Sequence, residues 1–514
     1  MTTISIDGGA ITGTLAGDVR LFGGIPYAEP AVGPARFAKP QPRRLQGDID
    51  ARRVGPALPQ VPCFGAVGAV YTSNLPSAPG ALTLNVRTPS SGDTGLPVLV
   101  WLHGGGFAVG AGSDAVYQGG AFARDGVVEV TVNYRLGVEG FGYFEDPTHG
   151  VVTNLGLHDQ IAALRWVQEH IHRFGGDPSR VTVAGHSAGA ICVALLMGSP
   201  LASGLFSQAI VQSAAAPMAI DPASAKGITA YLGEVLGVAG HDIGAVAAVP
   251  LDQLLAAQQR LSDESFNRVN LERFGLAGLT GMAFVPVIDG DLITGDPMML
   301  LASGAAAGID TLGGWTRDEV MLHLDHAMGG TTPDAATGAF MLESVAGGFG
   351  PFAPTIIDTY RSIRPDLSDF RLAGAINSDA AFGQATLAIV ELASMHSAAY
   401  MYRFDQPTVL DGRDLGAIHG SELGYVWADP DDATARRLSG AVDTGLATSV
   451  HQAWRSFISD GVPAAAGLPT WSAYDQSSRP TMLLSATSSE LAHDPAGRER
   501  ALWAPVFAAL AAGG

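Results

Sequence analysis

Short apolar, β-branched runs recur along the chain with longer amphipathic stretches between them. Leu96 to Leu102 (LPVLVWL), Val127 to Asn133 (VVEVTVN), Arg180 to Ala184 (RVTVA) and Gln208 to Gln212 (QAIVQ) are bounded by glycine or turn residues, and each predicts a strand. Between the second and third runs, Leu157, Ile161, Leu164, Val167 and Ile171 recur at steps of three and four, which predicts a helix over Leu155 to Arg173. Phe174-Gly175-Gly176-Asp177-Pro178 then supplies a glycine cap and a proline stop. Strand, helix, strand in this order predicts right-handed crossovers and an α/β class with a central, mostly parallel sheet flanked by helices. Residues from about 215 to 282 and from about 325 to 398 show helical patterns without strands. They are read as helical insertions forming a lid or pocket wall.

Composition narrows the class. The chain has 514 residues, 47% hydrophobic and 15% charged, which excludes disordered, collagen-like and disulfide-stapled proteins. The net charge is −20, and Lys39 and Lys226 are the only lysines. An acidic surface repels phosphate, so neither nucleic acid nor an anionic membrane is an expected partner. No window reaches the roughly 18 uninterrupted apolar residues of a membrane span. Cys63 and Cys192 fit neither a disulfide framework nor a zinc site. Met1 to Ala16 has no basic leader before an apolar block, so cytoplasmic residence is expected.

The candidate chemistry begins after the strand at Arg180 to Ala184. Gly185-His186-Ser187-Ala188-Gly189 joins that strand to an apolar helical run, the setting in which a Gly-x-Ser-x-Gly sequence forms a tight turn with an exposed nucleophile. The following helix aims its N-terminal N–H groups at developing negative charge. Among 66 glycines such a pentapeptide is a weak signal alone. About 80 residues upstream, however, His103-Gly104-Gly105-Gly106-Phe107 also follows a strand. Glycines there let backbone N–H groups approach an oxyanion, and the N–H groups of Gly105, Gly106 and Ala188 are the expected donors.

Further segments carry a family resemblance. Phe22 to Ala28 (FGGIPYA) with Arg36-Phe37, Leu82 to Val86 (LTLNV), Asn133 to Gly137 (NYRLG), Asn154 to Gln160 (NLGLHDQ) and Phe174 to Pro178 (FGGDP) occur in order. Together with the two glycine motifs they resemble the type-B carboxylesterase and cholinesterase family of α/β-hydrolases. The resemblance runs from about Ile6 to about Tyr474. It implies one catalytic domain over 1–514, although length alone would suggest about three.

Spacing cannot select a base among 13 histidines, because triad members meet only in the fold. Gly416 to Leu423 (GAIHGSEL) resembles the family's histidine loop, which implies His419, and the order serine, acid, histidine agrees with α/β-hydrolases. Gly313 to Glu319 (GGWTRDE) follows Phe284 to Gly290 (FVPVIDG); the family pattern puts the acid at the second carboxylate, Glu319, with Asp318 the alternative. By the same resemblance Asp159 and Arg135 form a structural ion pair. Ser213 hydrogen-bonds near the acid, and it and His186 support the triad without belonging to it.

His323 and His326 with Asp325 have metal-like spacing but no evident third ligand, and are read as structural. Two departures matter. His186 stands where the family commonly has glutamate, and Cys63 to Ala81 offers only Phe64 and Tyr71 as aromatic cation contacts, so no choline-ester preference is expected. Cys63 also lacks a partner near Ala81, so the family's early disulfide is expected to be missing. The sequence is thus read as a serine carboxylesterase acting through an acyl-enzyme, with a small-molecule ester substrate and no cofactor or metal. The alternatives are an amidase or carbamate hydrolase with the same triad, and a non-catalytic binding protein.

Overall fold

The computed structural model describes all residues except 7, 63–67, 69–70, 147–149, 268–270, 276, 430–431 and 513–514. Cys63 and Phe64 therefore lie outside the described residues. The sheet is built from β1 (Thr2–Ile6), β2 (Gly9–Ala16), β3 (Val19–Pro26), β4 (Ile49–Asp50), β5 (Thr83–Pro89), β6 (Leu96–Leu102), β7 (Val128–Val132), β8 (Gly176–His186), β9 (Gln208–Gln212), β10 (Asp310–Thr316), β11 (Ala399–Phe404), β12 (Pro480–Leu484) and β13 (Glu490–His493). The spatial order is β1-β2-β3-β5-β7-β6-β8-β9-β10-β11-β12-β13, with β4 beside β2. Strands from β7 through β12 are mutually parallel, and the flanking hairpins are antiparallel. The central strands read as near-continuous apolar runs because helices cover both faces.

The four predicted strands all form. β8 is longer than its apolar run, because pairing with β6 resumes at Gly176 after a register shift. The predicted helix is α1 (Leu155–His170); its tail over Ile171–Phe174 tightens into a 3₁₀ turn that ends at Gly175 with φ +92°. Behind α1, Arg135 and Asp159 form a buried ion pair at 2.6 Å, and Arg135 also donates to the carbonyls of Arg36 and Ala38. Four of the five guanidinium N–H groups are thereby engaged, and the pair ties the chain after β7 to α1.

Helix α2 (Ala188–Gly198) follows the glycine-bounded turn and is buried along its length. Residues 215–282 carry α3 (Pro222–Leu236) and α4 (Leu251–Asn267) among shorter helices. Residues 325–398 carry the end of α5 (Met321–Ala327), then α6 (Ala335–Gly347), α7 (Ala353–Ile363), α8 (Asp369–Ser378) and α9 (Gln384–Ser394). These helices do not act as one layer. Helix α9 lies on β10 and β11 as a sheet-covering helix, whereas α6, α7 and α8 enclose a separate small core around Leu342, Ile356, Tyr360 and Ile376. Residues Asp379–Gly383, joining α8 to α9, form a π turn, a widened geometry that often marks functional positions. Among the described residues no helix is long and apolar enough to cross a membrane.

Candidate active site

The parallel strands end their C-terminal edge in four loops that converge. The first is the turn after β8. Ser187 has φ +57° and ψ −124°, a conformation costing a side-chain-bearing residue about 1–3 kcal/mol. Its N–H is held by the Gln212 carbonyl at 2.9 Å, so the β8–β9 ladder sustains the strain. The flanking glycines leave no alternative: a Cβ on Gly185 would lie 2.5 Å from the Gly189 carbonyl carbon, and one on Gly189 would lie 2.0 Å from the Leu102 oxygen. Ala188 begins α2, so its N–H has no acceptor within the helix.

The second loop follows β6. Gly105 and Gly106 have φ of +115° and +60° and line the same cavity as Ser187. A Cβ on Gly105 would fall 2.1 Å from the Val109 oxygen. His103 anchors the loop: its Nδ1–H donates to the Gly104 carbonyl at 2.8 Å, its ring stacks on Tyr134 at 4.4 Å, and Tyr134 donates to the His103 carbonyl at 2.6 Å. Burial pushes the His103 imidazole down to about 4, so the anchor stays neutral.

The third and fourth loops bring Glu319 and His419 together across 100 residues of sequence. His419 Nδ1 donates to Glu319 Oε2 at 2.5 Å, and Glu319 Oε1 accepts from the Thr316 N–H at 2.9 Å. A carboxylate can only accept, so the proton of neutral His419 sits on Nδ1 and Nε2 is left as a base. The His419 ring is held by Phe382 at 4.7 Å and His186 at 4.5 Å, and its carbonyl accepts from the Tyr71 hydroxyl at 3.1 Å. Asp318 does not reach the ring. Its Oδ2 accepts from the Ala417 N–H and from Arg317 Nε, each at 3.0 Å, and so braces the histidine loop.

Ser187, His419, Gly105 and Gly106 share a cavity of about 90 Å³. Its remaining wall is Tyr71, Val109, His186, Phe266, Met282, His323 and Phe382. Among the described residues no carboxylate, lysine or arginine lines it. Two larger clefts, of about 580 and 880 Å³, lie away from Ser187 and share none of these residues.

One sequence expectation changes. Ser213 follows β9 and donates its N–H to the Gly314 carbonyl at 2.8 Å, but its buried hydroxyl makes no hydrogen bond among the described residues, so the expected bond near the acid is not made by them. Tyr71 positions the histidine loop through its hydroxyl. His323 and His326 diverge: His323 faces the cavity, His326 is exposed, and Asp325 pairs with Arg413 at 3.2 Å. Among the described residues no group of three His, Cys, Asp or Glu side chains is arranged to hold a metal ion.

Glu422, three residues after His419, was not singled out by sequence. It is fully buried, accepts from Gln212 Nε2 at 3.1 Å, and lies 4.0 Å from His186 Nε2. Burial, reinforced by Glu319, pushes its carboxyl up to about 7. Burial also holds the His186 imidazole well below its usual range, with His419 adding to the effect. Behind the Glu319–His419 pair there is thus a polar group that resists carrying charge. Phe266, Met282 and Phe382 were equally invisible, since they are ordinary apolar residues brought to the cavity by α4, by the segment before Phe284 and by the π turn.

Residues 1–503 match the Carboxylesterase family. The chain is 33% identical over 504 residues to the para-nitrobenzyl esterase of Bacillus subtilis (strain 168), covering 96% of each. It is 31% identical over 503 residues to the phenmedipham hydrolase of Pseudarthrobacter oxydans, covering 95% of each. A carboxylesterase of Geobacillus stearothermophilus superposes with a TM-score of 0.83 at 32% identity, over 98% of this chain and 100% of that one. The chain belongs to the carboxylesterase family, and it is a serine hydrolase of carboxylic esters built on the α/β-hydrolase fold.

Proposed function

We propose that Ser187, His419 and Glu319 are the catalytic triad and that Gly105, Gly106 and Ala188 supply the oxyanion hole. The observation that carries this reading is the strained serine sharing a cavity with a histidine whose Nδ1–H is fixed by a buried carboxylate. Ser187 Oγ attacks the ester carbonyl while His419 Nε2 takes its proton. Glu319 stabilises the resulting imidazolium, and the N–H groups of Gly105, Gly106 and Ala188 bind the oxyanion. His419 then protonates the departing alcohol, and water repeats the sequence on the acyl-enzyme. The whole chain works as one catalytic domain, with helices of the 215–282 and 325–398 regions furnishing the cavity wall through Phe266 and Phe382.

The preferred substrate is a small uncharged ester. Tyr71, Val109, Phe266, Met282 and Phe382 give the cavity an apolar wall, and an ionised substrate would lose its hydration there with no counter-charge from the described lining. Buried Cys192, a free thiol, suits the cytoplasm, where we locate the enzyme. The test is timed hydrolysis of p-nitrophenyl acetate, butyrate and octanoate beside matched p-nitroanilides. Turnover of the esters well above the anilides is expected; equal or faster anilide turnover would favour an amidase.

A further inference from the structure

One polar side chain in the cavity has no place in the triad scheme. His323 lies on α5, four residues after Glu319, and faces the cavity that holds Ser187 and His419. Its ring packs on Phe266 with centroids 5.3 Å apart, and its nitrogens make no hydrogen bond among the described residues. The other polar side chains there are already engaged or resist charge: His419 donates to Glu319, Tyr71 donates to the His419 carbonyl, and His186 backs the His419 ring. An imidazole held against Phe266 inside an otherwise aromatic and aliphatic wall keeps one N–H donor and one lone pair for whatever fills the cavity. Burial, with His419 and His326 adding to it, pushes its titration down to about 3, so the ring is neutral near neutral pH.

We propose that His323 is a specificity residue that hydrogen-bonds an oxygen function in the substrate, so that the site favours alkoxy- or hydroxy-substituted esters over purely alkyl ones. This rests on the esterase reading above. A polar group left bare against an alkyl chain loses its hydrogen bond to water, whereas an ether or hydroxyl oxygen in the same place restores it. The ring is neutral, so the preference is for a dipole and not for a charge. The oxygen can belong to the acyl or to the alcohol part, and paired isosteres separate the two.

For the acyl part, kcat/KM is compared for p-nitrophenyl butyrate and p-nitrophenyl methoxyacetate, which differ by one methylene replaced by oxygen. For the alcohol part, butyl acetate is compared with 2-methoxyethyl acetate in a pH-stat. Each ether-to-methylene ratio is measured in the wild type, His323→Phe, His323→Leu and His323→Gln, so that intrinsic reactivity cancels between proteins. The expected result is a ratio about fivefold lower in the Phe and Leu variants for one pair, largely restored in Gln. The affected pair identifies the side of the ester that His323 reads. A purely structural role would lower both members of a pair together, and ratios unchanged within twofold in both pairs would overturn the proposal. Two apolar variants guard against the misfolding of either one. If the wild type turned over none of the four esters, the esterase reading would fall first, a result distinct from unchanged ratios.

Discussion

Replacing Glu319 by glutamine keeps the size of the side chain and removes one acceptor, and the surrounding bonds set the consequence. Glu319 accepts twice, from the Thr316 N–H at 2.9 Å and from His419 Nδ1–H at 2.5 Å. Glutamine has one oxygen and one NH₂. With the oxygen kept on Thr316, the NH₂ faces Nδ1, the ring proton must move to Nε2, and the base can no longer take the proton of Ser187. Loss of this kind costs about 10⁴-fold in kcat in serine proteases, or ~5.4 kcal/mol. The flipped amide restores the tautomer but sets two donors against each other at Thr316, at a cost of about 1–3 kcal/mol, and still removes the charge that stabilises the imidazolium. The two routes bracket an expected loss of about 10³- to 10⁴-fold. Stopped-flow hydrolysis of p-nitrophenyl acetate at pH 8 reads it, beside a thermal melt to confirm folding. Asp318→Asn is the control: its carboxylate braces Ala417 and Arg317 without touching the ring, and less than about tenfold loss is expected. A Glu319→Gln enzyme retaining more than a tenth of the activity, or an Asp318→Asn enzyme falling further than Glu319→Gln, would refute this reasoning.

Two other perturbations follow from the same geometry. In Gly105→Ala the new methyl would meet the Val109 oxygen at 2.1 Å on a backbone with φ +115°, so the loop has to move; about 10²- to 10³-fold loss of kcat is expected, and a normal kcat in a folded variant would remove Gly105 from the oxyanion hole. Glu422 predicts a pH-dependent stability. It is buried among Glu319, His419, His186 and Gln212, and it keeps its proton to about pH 7 when folded but loses it near 4.5 when unfolded. Unfolding therefore releases a proton in that window, so stability falls as pH rises from about 4.5 to about 7. The penalty reaches about 3 kcal/mol above it. Glu422→Gln should melt close to the wild type at pH 4.5 and higher than it at pH 8, and an equal difference at both pH values would contradict the buried, protonated carboxyl.

The sheet was legible because its strands are apolar runs closed by glycine and turn residues, and a strand buried on both faces has no other pattern to show. Ser187 and the Gly104 to Gly106 turn were legible because tight backbone geometry admits few residue types, so the requirement is written locally. His419 and Glu319 are a different case. Nothing in their own segments dictates that two loops 100 residues apart should meet, and only resemblance to related chains singled them out. The regions that furnish the cavity wall were expected, but not the residues: Phe266, Met282 and Phe382 have the composition of core residues, and tertiary packing alone turns them toward Ser187. His323, read with Asp325 and His326 as structural, reaches the cavity because helix α5 sends the three side chains to different surroundings, which spacing alone does not show.

The most direct test of the nucleophile is covalent trapping. Diethyl p-nitrophenyl phosphate phosphorylates a serine only where a base and an oxyanion site activate it. Peptide mapping by mass spectrometry after brief exposure should find one diethylphosphoryl group per chain, on Ser187, with loss of ester hydrolysis in proportion to labelling. Ser187→Ala should take up no label and hydrolyse p-nitrophenyl acetate at the background rate. Label on another residue, or undiminished hydrolysis by Ser187→Ala, would contradict the assignment of Ser187 as the attacking group.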